Sequence, residues 1–113
     1  MSACHGRQEK TIIILHTNDT HSQIEPLEEG KRDEFCGGYA RRMGYIQQRR
    51  NEHPDLIVVD AGDFSQGTPY YNFYHGRVEI AAMNRMQYDA ITLGNHEFDY
   101  GVDTLAAVLQ LAH

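Results

Sequence analysis

Three short apolar runs constrain the fold of this chain more than any other feature. Thr11 to Leu15 (TIIIL), Leu56 to Val59 (LIVV) and Ala90 to Leu93 (AITL) are rich in β-branched residues and almost free of alternating polar side chains. That pattern predicts strands buried on both faces of a parallel sheet. Between the first two runs lies Gly37 to Asn51, with Tyr39, Met43 and Ile46 at helical spacing and Pro54 as a stop. Between the second and third lies Val78 to Met86, with Ile80, Ala81, Met83 and Met86 on one predicted face. After the third, Val102, Leu105, Ala106, Val108 and Leu109 predict a further helix, with Asp103 in the first turn where the helix dipole favours an acid. Strand and helix therefore alternate three times, the pattern of an α/β chain with three parallel strands and right-handed crossover helices.

Three strands are fewer than the roughly four to six of an ordinary sheet. Residues 11–113 are accordingly expected to be the N-terminal portion of a larger, incomplete domain, with a missing C-terminal half or a partner chain supplying the rest. Residues 1–10 form a polar tail. Its "SAC" resembles the end of a bacterial lipoprotein signal, so Cys4 is a candidate lipidation site and membrane tether, which would place the protein outside the cytoplasm. Cys4 and Cys36 are too few for a disulfide scaffold. The acidic, glycine-bearing segment from Ser22 to Gly37 is long enough to be functional or mobile.

The 113 residues carry a net charge of -6, which excludes the broad basic footprint of a protein that binds a nucleic acid duplex. Arg41, Arg42, Arg49 and Arg50 cluster, and their helical spacing reads as a solvated face. An acidic protein acting on an anion needs a cation as intermediary.

In open α/β sheets, ligands bind beyond the carboxyl ends of the strands. Each predicted strand here ends in a loop with metal-capable side chains: His16, Asp19 and His21 after the first, Asp60 and Asp63 after the second, Asn95, His96 and Asp99 after the third. Each group alone has an ordinary explanation. Asp60 and Asp63 are suited to capping a turn, His96 to a loop hydrogen bond, and Phe98 and Tyr100 to packing. Three such groups at three consecutive strand ends point to one shared site. Carboxylate, amide and imidazole donors without thiolate suit Mn, Zn, Fe or Ni. A single carboxylate such as Asp63 can bridge two such ions, the arrangement used for phosphoryl transfer.

At these residues the chain resembles the calcineurin-like metallophosphoesterase superfamily, with its D-x-H, G-D and G-N-H-[DE] signatures. Within it, "ILHTNDTHSQ", "GGYARR", "VVDAGDFSQGTPYYN" and "TLGNHEFDYG" are similar to the 5'-nucleotidase and UDP-sugar hydrolase family, over residues 11–110. The resemblance implies a four-layer αββα sandwich, of which this chain is the N-terminal half, and two divalent metal ions (Mn, Zn, Fe or similar). It also implies roles. Asp19 and His21 would hold one metal, Asp63 would bridge, and Asn95 would hold the second. His96 would be the catalytic histidine over the phosphate, paired with and oriented by Asp99.

The implied activity is hydrolysis of nucleoside 5'-monophosphates or related nucleotides. A 2',3'-cyclic-nucleotide phosphodiesterase and a thiosulfohydrolase of the same family are the close alternatives. The chain departs from the family by lacking the later G-H and G-H-x-H histidines and the C-terminal nucleoside-binding domain, and His5, His53, His75 and His113 stand in the wrong context to replace them. The 113-residue segment alone is therefore expected to be inactive. A non-catalytic metal-binding or assembly module that needs a partner chain is the alternative from another class.

Overall fold

A computed structural model describes residues 9–28, 30 and 36–113. Cys4 and residues 29 and 31–35 of the acidic insertion lie outside these. Three parallel strands, β1 (Ile14–Thr17), β2 (Ile57–Asp60) and β3 (Ala90–Ile91), form one sheet in the order β1-β2-β3. Ile14 pairs with Ile57 and Thr17 with Asp60, while Val59 pairs with Ala90. The helices are α1 (Tyr39–Glu52), α2 (Pro69–Tyr74), α3 (Arg77–Met86) and α4 (Val102–Leu109), with a single 3-10 turn at His96–Phe98.

Local chemistry sets the boundaries. Helix α1 stops at His53, because Pro54 disfavours a helical residue before it, and its last turn carries Arg49 and Arg50 where the dipole favours cations. Arg50 also reaches the Gln87 carbonyl and, at 3.6 Å, Asp89, so this arginine ties α1 to the end of α3. Arg42 lies over the Tyr39 ring. Helix α2, not anticipated from periodicity, starts with Pro69 in its first turn, where no amide hydrogen is needed. It ends where His75 and Gly76 both turn left-handed.

The strands are buried on one face only, which corrects the expectation of two. Leu15 and Val58 point to one side of the sheet and meet Tyr39 and Ile46 of α1 and Met86 of α3. A second cluster of Phe64, Ile80, Met83 and Val108 continues the core under β3. On the opposite face Ile12 is 65% and Ile14 60% exposed, and the described residues place no element over them. A continuously apolar run is thus explained by a face that this segment leaves bare. Two helix faces also need correction: Ala82 rather than Ala81 packs on the core, and Val102 of α4 is exposed.

No helix among the described residues is long and apolar enough to cross a membrane.

Candidate metal and phosphoester site

The carboxyl ends of β1 and β2 run into loops that zip together. The amides of Asp19, His21 and Ser22 donate to the carbonyls of Gly62, Asp63 and Phe64 at 2.9, 3.1 and 2.8 Å. This ladder holds an unusual backbone. Asp19, His21, Ser22 and Asp63 all have positive φ, between 42° and 53°, a region that costs a residue with a Cβ about 1–3 kcal/mol and persists only where the surroundings over-determine it. The result is convergence. One ligand atom each from Asp19, His21 and Asp63 lies within 4.8 Å of the others.

The third strand end is joined to the second by Asp63 and Glu97. Asp63 Oδ1 accepts the His96 amide at 3.1 Å. A Cβ on Gly94 would lie 2.0 Å from the same oxygen, so the loop can approach the carboxylate only where there is no side chain. Asn95 lies between these two contacts in the chain, immediately before the 3-10 turn. His96 Nδ1 and Asp99 Oδ2 are 3.1 Å apart. The His96 ring lies edge-on to that of His21, with centroids 5.3 Å apart. Five of the six predicted residues are therefore tied to one another by direct contacts, and Asn95 is placed among them by its neighbours in the chain.

Two predicted metal-capable residues do not join them. His16 is a strand residue in β1, paired with Val59 and exposed on the bare face of the sheet. Asp60 is 3% exposed and turned to the other face, where it accepts the Gly62 amide at 2.9 Å and the Thr17 hydroxyl. It shapes the loop from below. Burial is the first cause raising the Asp60 pKa above the ordinary carboxylate value. An acid whose pKa is raised by folding contributes its stability at low pH and loses it as pH rises through the folded value. Asp60→Asn is expected to flatten that fall in stability across and just above the carboxylate range. Denaturant midpoints measured at several pH values check it.

Three residues of the site were given no role by the sequence reading. Glu97, 4% exposed, accepts the amides of Asp63 and Ser65 at 3.0 Å each and of Gly94 at 2.6 Å. Its signal was its place at the last position of the G-N-H-[DE] signature. Gln66 meets His21 Nδ1 at 3.2 Å through Oε1 and sets the ring's orientation. Tyr71 of α2 donates its hydroxyl to the His96 carbonyl at 2.8 Å, and its pKa is pushed up to about 12, first by burial and then by Asp99 and Glu97. Tyr100 is 43% exposed and packs against Tyr71 and His75, a packing role.

The donor set of two carboxylates and one imidazole fits a hard or borderline divalent cation. The calcineurin-like phosphoesterase family matches residues 12–110 of the chain. The chain belongs to that family. Within this phosphoesterase family it is 47% identical over 98 residues to a snake venom 5'-nucleotidase of Naja atra, covering 83% of this chain and 18% of the relative. It is 42% identical over 99 residues to a 5'-nucleotidase of Homo sapiens, covering 83% and 17%. The crystal structure of a 5'-nucleotidase precursor from Thermus thermophilus superposes with a TM-score of 0.82 at 41% identity, covering 89% of this chain and 20% of that one. The chain thus spans about a fifth of the length of these phosphoesterases.

Proposed function

We propose that this chain is the N-terminal segment of a two-metal phosphoesterase that hydrolyses nucleoside 5'-monophosphates or related nucleotides. The observation that carries the reading is the approach of Asp19, His21 and Asp63 within 4.8 Å, with the His96–Asp99 pair alongside. Asp19 and His21 would hold one divalent ion, Asp63 would serve both, and Asn95 would serve the second. The ions, when bound, activate water and neutralise charge on the phosphoryl group. His96 faces the phosphoryl oxygens and supplies a preorganised donor where negative charge develops. Asp99 accepts from the other ring nitrogen and fixes the ring's orientation.

The nucleotide preference is supported by the relatives named 5'-nucleotidase. The cyclic-nucleotide and thiosulfate alternatives would use the same residues and differ in the parts of the chain that read the leaving group. A location outside the cytoplasm is supported by the venom relative, and a lipid tether at Cys4 is tested by mass spectrometry of the native amino terminus.

Asp19, His21, Asp63 and Asn95 supply too few donors for two ions that each take about four to six ligands. The test is phosphate release from AMP with Mn2+, by the 113-residue chain and by a chain extended to the length of its relatives. The extended chain is expected to be active, the 113-residue chain inactive, and His96→Ala to remove the activity. Metal-dependent hydrolysis by the short chain that is abolished by His96→Ala would overturn the statement about donors, and an inactive extended chain would overturn the function.

The bare sheet face, with Ile12 and Ile14 exposed, favours a second reading, a metal-binding module assembled with a partner chain. A stable monomer at low concentration contradicts that one.

A further inference from the structure

Behind the metal cluster, α3 buries a carboxylate. Glu79 is 0% exposed, and its Oε1 accepts the hydroxyl of Ser22, which is also fully buried. The Ser22 hydroxyl also shares a hydrogen bond of 2.8 Å with Thr68. The other Glu79 oxygen has no partner among the described residues. Desolvating a carboxyl and leaving half of it unpaired is unfavourable, and burial is the first cause raising its pKa, with the Ser22 hydroxyl acting in the opposite sense. An apolar side chain at this buried position would carry no such cost.

What the carboxyl holds is the end of the strained loop. Ser22 has φ 53° and follows His21 at φ 42°. The ladder to Gly62, Asp63 and Phe64 fixes the backbone amides, and the Ser22 side chain anchors the far end of the loop to a helix. We infer that Glu79 is a positioning residue for His21: through Ser22 it holds the left-handed run that aims the imidazole at Asp19 and Asp63, and it sets metal affinity without touching the metal. The inference rests on the metal-site reading of those three residues.

Partners behind a metal ligand typically change affinity by about 10- to 100-fold when removed. Mn2+ binding to the full chain, followed by electron paramagnetic resonance of the free ion, tests this without reference to activity. Glu79→Leu is expected to weaken binding by at least about tenfold. Ser22→Ala is expected to weaken it similarly, and the double variant no further, because the two side chains act as one link. Glu79→Gln keeps an oxygen for the Ser22 hydroxyl and is expected to restore most of the affinity. Ile80→Val, which thins the same core beside Glu79, is expected to lower stability and leave affinity unchanged. If Glu79→Leu does not fold, Ser22→Ala and Glu79→Gln decide the matter. Wild-type affinity in Ser22→Ala, or additive losses in the double variant, would overturn the inference. Absence of binding by the wild type would instead overturn the site itself.

Discussion

Asp63→Ala is expected to reduce phosphoester hydrolysis by the extended chain at least about 1,000-fold, and Asp99→Ala by only about 10- to 100-fold. The difference follows from what each carboxylate touches. Asp63 lies at the meeting point of all three strand ends. Its carboxylate belongs to the cluster with Asp19 and His21, its Oδ1 accepts the His96 amide, and its backbone amide and carbonyl are bonded to Glu97 and to the His21 amide. Removing it takes a donor from both proposed ions and releases the His96 loop. Asp99 touches the His96 ring at 3.1 Å and is partly exposed, so its loss leaves the donors in place and frees one ring to turn. Phosphate release and bound metal, measured together, check this. Equal losses in the two variants at full metal occupancy would contradict the roles assigned.

The larger effect on folding is expected from Glu97→Ala. Three buried or half-buried amides, those of Asp63, Ser65 and Gly94, would lose their acceptor together. An unsatisfied buried donor costs about 1–3 kcal/mol. Some water entry is inevitable once the side chain is gone, and the sum is on the order of 4 kcal/mol. For a chain of this size that lowers the melting temperature by more than about 15 °C. Glu97→Gln should fall between, because its amide NH2 would face amide hydrogens in place of one oxygen. Thermal unfolding followed by circular dichroism checks both, and a shift within about 3 °C for Glu97→Ala would contradict the bracing role.

The parts of the fold and site that were legible are those set by local pattern. The strand and helix order followed from the apolar runs and from apolar residues at helical spacing around Ile46, Ile80 and Leu105, one in each of three helices. The convergence of Asp19, His21, Asp63 and His96 followed from the rule that parallel strands deliver their following loops to one edge. Alternation within a strand misled in two ways. His16 and Asp60 sit inside β1 and β2 rather than in the loops after them, and the pleat sends them to opposite faces, away from the cluster. The one-sided burial of the sheet was illegible, because an apolar run reports that both faces want covering and not what covers them. Helix α2 was missed for its length: six residues, four of them aromatic, give no helical period to read. Glu97 and Glu79 were missed for a third reason. Their partners are a set of backbone amides and a serine hydroxyl brought in from distant loops, and nothing in the spacing of an acid announces such partners before the chain is folded.

The central claim is that the ends of β1 and β2 build a divalent cation site from Asp19, His21 and Asp63, with the end of β3 bringing His96 alongside. Titration of the chain with Mn2+, with the free ion followed by electron paramagnetic resonance, tests it most directly. Saturable binding is predicted, lost in Asp63→Asn and in His21→Ala but retained in His16→Ala, whose side chain lies on the bare face of the sheet. Binding that survives both Asp63→Asn and His21→Ala, or that disappears with His16, would contradict it.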